Sequence, residues 1–251
     1  MQHCVLSGGA KHRGRRSTKK GTEVFLGVRT EIDDGLGWLI LDRPERAHAY
    51  DRAHLDALAE GIESFREKVA VVVVASTGEG AFCAGADLTE IAERTVEDVA
   101  DLRSQRTFEA LATAPFVSIA AVQGPAVGGG FELALACDLR VVGPQASFRF
   151  PEIELGLIPA AGGLTRLSRM LGVARTKEIT WLARPIDADA AVTLGIATRK
   201  VTDARTGAAD LGRELLTRDP LALRLSKAVL DGGATLLGER MAQVSLTEQK
   251  R

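Results

Sequence analysis

Three consecutive glycines, Gly128, Gly129 and Gly130, stand between an apolar run typical of a strand and one typical of a helix. Because glycine has no side chain, the main chain there can approach a ligand closely, and a helix that begins there leaves N–H groups unpaired. Such groups favour negative charge in front of them. Glu132 follows in the first helical turn, and Glu152 comes twenty residues later. The pattern indicates a site where charge builds up on a carbonyl oxygen while a carboxylate moves a proton.

Other familiar catalytic motifs are missing from the sequence. There is no GxxxxGK[ST] phosphate loop, no GxGxxG dinucleotide fingerprint and no GxSxG nucleophile turn. Neither the histidines nor the cysteines have the spacing of metal ligands or of a disulfide framework (His3, His12, His48, His54, Cys4, Cys83 and Cys137). We therefore predict no metal and no separate cofactor, and we expect Cys83 and Cys137 to be small core residues. Reduced thiols favour a cytoplasmic location.

The charge of the chain is divided unevenly. The first twenty residues carry six basic side chains and no acid, whereas the rest of the chain has a formal charge of −7. We predict that residues 1–20 are a disordered head, with a solvated tail, a nucleic-acid arm and a targeting peptide as alternative interpretations. The mildly acidic body does not favour nucleic-acid binding. The longest apolar run, 69–75, is too short to span a bilayer, so we expect a soluble protein.

Strand and helix patterns alternate along the first two thirds of the chain, which is typical of the α/β class. Strands are predicted over Glu23–Ile32, Gly37–Leu41, Val71–Ala75, Val117–Val122 and Leu139–Val142. Helices are predicted from a cap at Asp51 to about Phe65, over Leu88–Arg94 and Val96–Thr113, and from the glycine triplet to Ala136. From Gly163 onward the pattern is helical, broken at Pro185 and Pro220, and Leu221–Lys250 has amphipathic spacing.

Three motifs in order carry a resemblance to a known family. They are Ala81–Leu88, Gly124–Ala134 and Phe150–Gly163, and with them the chain resembles the crotonase superfamily of enoyl-CoA hydratase/isomerase proteins from Glu23 to Gln249. The resemblance implies a spiral of strand–strand–helix turns with two roughly perpendicular sheets. It divides the chain into the head (1–20), a spiral core (21–205) and a C-terminal helical region (206–251). That last region would build a trimer or a dimer of trimers.

The resemblance also implies a substrate and its site. The substrate would be an acyl thioester of coenzyme A, whose carbonyl oxygen binds in an oxyanion hole made by the N–H groups of Ala86 and Gly129. Glu132 and Glu152 match the two catalytic glutamates, which hold one water between them. Since both acids are present, the pattern favours hydration of a 2-enoyl-CoA. The alternatives are another reaction of the superfamily, such as enoyl-CoA isomerisation, and a non-catalytic homologue that binds RNA or acyl-CoA.

Further positions match substrate-binding residues of the family: Ala49, Ala84, Gly85, Asp87, Leu88, Gly128 and Ala160. The Ala49 main chain would contact the coenzyme, and Ala160 stands where the family has a glycine whose N–H orients one acid. Asp87 is also predicted to cap the helix at Leu88.

Four side chains near these motifs have more than one interpretation each. His48 and Tyr50 would contact an unusual acyl group, or else be a satisfied surface histidine and a packed tyrosine. Glu152 alternatively pairs with Arg149 or caps a turn. Glu154 competes with Glu152 for the catalytic role, and we interpret it as a surface acid or one behind the site.

Overall fold

The computed structural model describes residues 22–93, 95 and 101–249. The predicted basic head and Cys4 lie outside the described residues, as does part of the helix predicted over Val96–Thr113. Among the described residues, no helix combines the length and the apolar character that crossing a membrane requires.

A seven-stranded sheet forms the centre of the fold, in the order β1-β2-β3-β4-β5-β7-β10. In this sheet, β2 and β3 pair in antiparallel orientation, and β3 and β4 pair in parallel orientation. The strands are β1 (Glu23–Phe25), β2 (Val28–Asp33), β3 (Leu36–Leu41), β4 (Val71–Ser76), β5 (Val117–Val122), β7 (Leu139–Val142) and β10 (Arg199–Lys200). The single strand predicted over Glu23–Ile32 is wrong in one respect. Gly27, with a φ of 63°, turns the chain there and divides it into β1 and β2.

A second, three-stranded sheet has the order β6-β8-β9. Its strands are β6 (Pro125–Val127), β8 (Ser147–Arg149) and β9 (Ile186–Asp187). The prediction of purely helical structure after Gly163 is wrong at β9 and β10, because strands of two residues are too short to show an alternating pattern. The alternation of strands and helices confirms the predicted α/β class.

The helices of the described residues largely follow the predicted ranges. They are α1 (Arg52–Glu63), α2 (Leu88–Glu93), α3 (Arg103–Ala112), α4 (Gly129–Ala136), α5 (Gly163–Leu171), α6 (Val173–Leu182), α7 (Ala188–Thr193), α8 (Ala204–Leu216), α9 (Pro220–Asp231) and α10 (Leu236–Gln249). Asp51 caps α1 as predicted, since its side chain accepts a hydrogen bond from the His54 N–H at 3.0 Å. Pro220 begins α9 in the first helical position, where its missing N–H costs nothing.

The large sheet is buried on both faces. One face packs against α1, α3 and α4 through side chains such as Leu58, Phe108 and Phe131. The other face packs against α8 through Ala204, Ala208 and Leu211. The predicted boundary between residues 205 and 206 therefore falls inside a helix that covers the sheet. Buried apolar strands of the kind seen in β4 are expected where both faces are covered.

The C-terminal helices are attached to this core through Lys227 of α9. The Lys227 Nζ donates to the Ala112 carbonyl oxygen at 2.6 Å and forms an ion pair with Asp138. Asp138 in turn accepts hydrogen bonds from the N–H and the hydroxyl of Ser118 in β5, at 2.7 and 2.9 Å. Beyond this anchor, α10 exposes Leu236, Leu237, Met241 and Val244.

Candidate active site

The N–H of Ala86 is directed by the pairing of its neighbours. Residue 86 forms an isolated parallel bridge with Tyr50. In it, the Tyr50 N–H donates to the Gly85 oxygen at 2.9 Å and the Asp87 N–H donates to the Tyr50 oxygen at 2.8 Å. Because N–H groups alternate in direction along an extended chain, the Ala86 N–H faces away from Tyr50. Within the described residues, no protein acceptor takes it up.

The glycine triplet lies on the side that the Ala86 N–H faces. The same extended segment pairs there with β6, where Cys83 bridges Ala126 and the Val127 N–H donates to the Cys83 oxygen at 3.0 Å. Gly128 follows with a φ of 53°, and α4 begins at Gly129. The Gly129 N–H belongs to the first helical turn, so the helix leaves it without an internal acceptor.

The segment that contains Gly85 and Ala86 lies in close contact with the glycine triplet. A methyl group placed on Gly85, whose φ is 89°, would lie 3.0 Å from the Gly129 nitrogen and 2.8 Å from the Val127 oxygen. Ala86 and Gly129 line one cavity of about 200 Å³ together with Glu132 and Glu152. The structure therefore brings together the four residues that the sequence proposes as catalytic.

The carboxylate of Glu132 is fixed by hydrogen bonds from main-chain N–H groups. The side chain lies in the first turn of α4, the residue is 4% exposed, and its Oε1 atom accepts hydrogen bonds from the N–H groups of Ala161 and Gly163 at 2.7 and 2.8 Å. These donors correct the expectation that the Ala160 N–H orients an acid. Desolvation by burial raises the pKa of Glu132 to about 7, although the two N–H donors act against this rise.

Glu152 begins a short 3₁₀ helix over Glu152–Leu155. A methyl group on Gly128 would meet its Oε1 atom at 2.9 Å, so this carboxylate packs against the glycine triplet. Its Oε2 atom is buried and has no hydrogen-bond partner among the residues that the structure describes. Burial raises the pKa of Glu152 to about 6, and the charge of Glu152 contributes to the raised pKa of Glu132. Two acids with raised pKa values at one cavity can hold one proton between them near neutral pH.

Arg149 pairs with Glu154 and not with Glu152. Its Nη2 atom donates to both carboxylate oxygens of Glu154, at 2.6 and 2.7 Å, and Glu154 is exposed. Glu154 does not line the cavity. The interpretation of Glu154 as a surface acid is confirmed, and Glu152 is left as the acid that faces the cavity.

Two predicted binding residues lie outside the cavity wall, Ala49 and Asp87, whereas Ala84, Gly85, Leu88, Gly128 and Ala160 line it. Both of the outlying residues contact Arg43, whose Nη1 atom donates to the Ala49 oxygen at 2.9 Å and whose Nη2 atom lies 3.4 Å from Asp87 Oδ2. Asp87 caps α2 as predicted, since Thr89 donates to its Oδ1 atom. The Thr89 hydroxyl and N–H both donate to Asp87, and these hydrogen bonds hold the pKa of Asp87 below its usual value.

His48 does not line the cavity, and its ring nitrogens are both hydrogen-bonded, so the interpretation as a satisfied histidine is confirmed while its predicted surface position is wrong, because the residue is buried. Its Nδ1 atom accepts from the Arg43 N–H at 3.2 Å, so Nε2 carries the proton and donates to the Thr77 oxygen at 3.0 Å. Burial lowers its pKa, which favours the neutral ring. Tyr50, by contrast, lines the cavity, and its ring packs edge-on against Phe108 at 5.8 Å between centroids.

Sequence reasoning missed Arg166 and most of the cavity wall. The Arg166 Nη1 atom donates to the Ala161 oxygen at 2.9 Å, so this side chain fixes the turn whose N–H groups hold Glu132. The wall includes Leu55, Ile91 and Leu102, which lie outside the three motifs, and Leu155, Leu157 and Ile158, which lie within the third motif but were not predicted as site residues. Cys83 and Cys137 are buried as expected, and burial raises the pKa of each thiol to about 12. Across residues 22–93, 95 and 101–249, no group of His, Cys, Asp and Glu is arranged to hold a metal ion.

The chain is similar to known proteins over most of its length. A family model described as enoyl-CoA hydratase/isomerase matches residues 31–250. The chain is 34% identical to a mouse (Mus musculus) protein named enoyl-CoA hydratase domain-containing protein 2, mitochondrial, and the match covers 90% of this chain and 79% of that protein.

Solved structures show the same fold. The enoyl-CoA hydratase of Bacillus anthracis superposes with a TM-score of 0.85 at 31% identity, over 89% of this chain and 92% of that one. A Thermobifida fusca protein solved in complex with acetoacetyl-CoA gives a TM-score of 0.80 at 32% identity, over 89% and 95% of the two chains.

Proposed function

Because this chain belongs to the enoyl-CoA hydratase/isomerase family, we propose that it is an enoyl-CoA hydratase, which adds water across the double bond of a 2-enoyl-CoA thioester. The observation that carries the proposal is that two carboxylates and two residues whose N–H groups have no main-chain acceptor within the described residues line one cavity. Binding alone does not require two acids with raised pKa values, whereas proton transfer near neutral pH makes use of them, and here one is buried and the other half-buried.

The N–H groups would stabilise the charge that develops on the thioester oxygen. When water attacks the β-carbon, electron density moves through the double bond onto that oxygen and gives an enolate. The Ala86 and Gly129 N–H groups are fixed before reaction by the pairing with Tyr50 and by the start of α4. Donors that need no reorganisation lower the barrier, and loss of one typically costs about 10²–10³ in rate.

The two glutamates would manage the protons of the same step. One carboxylate accepts a proton from the attacking water, and the other acid delivers a proton to the α-carbon as the enolate collapses. For these two proton transfers to balance, the two glutamates together must carry one proton before the reaction. They again carry one proton after it. The raised pKa values of Glu132 and Glu152, about 7 and about 6, support this shared state.

The size of the cavity and its wall support a small acyl group. A cavity of about 200 Å³ whose wall includes seven leucine and isoleucine side chains would hold a short apolar chain, with the coenzyme outside. The acetoacetyl-CoA complex of the Thermobifida fusca protein supports a coenzyme A thioester as the substrate class. The proposal extends to a trimer or dimer of trimers, supported by the exposed apolar side chains of α10. It extends also to a cytoplasmic location, which the free thiols of Cys83 and Cys137 support.

A product analysis with 2-enoyl and 3-enoyl thioesters tests the proposal. A hydratase converts crotonyl-CoA to a hydroxyacyl-CoA that is heavier by one water, and the conjugated enoyl absorbance is lost. An isomerase moves the double bond of the 3-enoyl thioester and leaves the mass unchanged. Turnover of the 3-enoyl substrate alone would contradict hydration and favour the alternative reaction of the family.

A further inference from the structure

We propose that the hydroxyl of Tyr50 is a third donor to the thioester oxygen, beside the N–H groups of Ala86 and Gly129. This inference rests on the proposed function, since it requires an acyl thioester in the cavity. Tyr50 would then be a catalytic residue, because its oxygen would touch the atom on which charge develops.

The main chain of Tyr50 already positions one half of the oxyanion hole. Its N–H and its carbonyl oxygen bind the residues on either side of Ala86, at 2.9 and 2.8 Å. In a parallel bridge the side chains of paired residues lie on the same face. The phenol of Tyr50 is therefore on the same face of the bridge as the Ala86 methyl group, and both residues line the cavity.

The hydroxyl of Tyr50 reaches the other half of the oxyanion hole. A methyl group placed on Gly129 would lie only 1.9 Å from the Tyr50 Oη atom and 2.8 Å from Cζ. A Cβ atom lies about 2.5 Å from the nitrogen of its own residue, so Oη lies within about 4.4 Å of the Gly129 nitrogen. An oxygen that accepts from this nitrogen at about 2.9 Å can therefore also accept from the hydroxyl.

The ring is held firmly enough to act as a preorganised donor. Tyr50 is 7% exposed, and its edge-on contact with Phe108 fixes the plane of the ring. A tyrosine hydroxyl can accept one hydrogen bond while it donates another, so the donor role is compatible with other contacts of this group. Its reach to Gly129 also gives a reason for glycine at that position, since any side chain would displace the phenol.

The test is isotope-edited infrared spectroscopy of butyryl-CoA labelled with ¹³C at the thioester carbonyl. This saturated probe cannot be hydrated, and its carbonyl stretch moves to lower frequency with each hydrogen bond that the oxygen accepts. We expect a shift in the wild-type protein and a smaller shift in Tyr50→Phe at saturating probe. For crotonyl-CoA, kcat should fall about 10- to 100-fold while KM changes by less than about threefold.

Thr180→Val is the matched control, because it removes a buried hydroxyl that does not line the cavity. Its carbonyl shift and its kcat should equal those of the wild-type protein. A carbonyl shift in Tyr50→Phe equal to that of the wild-type protein would overturn the proposal that the hydroxyl is a third donor. This holds also if the variant changes selectivity between acyl groups, because the hydroxyl would then contact the acyl chain instead of the thioester oxygen. If the wild-type protein binds butyryl-CoA without any shift, the oxyanion hole itself fails, and with it the proposed function.

Discussion

Glu132 accepts a hydrogen bond from the N–H of Gly163 at 2.8 Å, across 31 residues of sequence. A methyl group on Gly163 would lie 2.9 Å from the same Oε1 atom, so the carboxylate fills the space where a side chain would be. The first turn of α4 and the start of α5 are thereby locked together. This contact fixes one oxygen of Glu132 and leaves the other available for proton transfer.

The two glutamates should be essential, and a neighbouring glutamate should not. We predict that Glu132→Gln and Glu152→Gln each lower crotonyl-CoA hydration at least ~10²-fold, because each removes one partner of a proton transfer. Glu154→Gln is the control, since Glu154 is exposed and paired with Arg149, and its rate should stay within about twofold of the wild-type rate. Near-normal turnover in either of the first two variants would remove that residue from the mechanism.

The pH dependence should follow the protonation of the glutamate pair. With pKa values raised to about 7 and about 6 by burial, the pair carries one proton mainly between these values. Activity should fall as the pH drops below 6, because both acids are then protonated and no base remains. It should fall again above 7, because the proton donor is lost. A profile of kcat/KM from pH 4.5 to 9 measures both limbs, and a flat profile across this range contradicts the shared proton.

Gly129 should tolerate no side chain. We predict that Gly129→Ala lowers hydration more than ~10²-fold, since the added methyl group would collide with Tyr50 Oη and shift the oxyanion hole. Overpacking should also cost about 1–3 kcal/mol of stability. Gly80→Ala is the comparison, because nothing lies within 4 Å of the added group there. Steady-state kinetics and thermal unfolding of both variants provide the measurement, and equal behaviour would refute the close approach.

The ion pair between Lys227 and Asp138 should stabilise the attachment of α9. Lys227→Met leaves Asp138 partly buried without its cation, so we predict a loss of about 3 kcal/mol in the free energy of unfolding. Arg175→Met breaks an exposed pair with Glu178 and should change that free energy by less than about 0.5 kcal/mol. Urea unfolding compares the two, and similar small effects would show that α9 does not depend on this pair.

The sequence was most informative where one continuous segment carries the chemistry. The glycine triplet and Glu132 lie within five consecutive residues, so their spacing alone places N–H groups and an acid at the start of one helix. The strands β5 and β7 were predicted with the observed ends, because each is a short segment that is mostly apolar, with one polar residue, and is followed by a glycine-containing turn. Buried strands of this kind depend on local composition, which a single sequence displays.

Contacts between segments that are distant in the chain could not be predicted from the sequence in this way. The N–H groups that hold Glu132 belong to Ala161 and Gly163, and the choice between these and Ala160 depends on how the turn folds back onto α4. The pairing of Arg149 with Glu154 is decided by side-chain geometry. The three-stranded sheet escaped prediction from the residues because its strands have only two or three residues each, although the family resemblance implied a second sheet.

Hydration of crotonyl-CoA in water enriched in both ¹⁸O and deuterium tests the central claim most directly. If one water is held by Glu132 and Glu152 and added across the double bond, the product gains ¹⁸O at the β-carbon and one solvent hydrogen at the α-carbon. Mass spectrometry of the product fragments reads both labels in a single turnover experiment. Deuterium at the α-carbon without ¹⁸O, or recovery of an unlabelled thioester, would contradict the account.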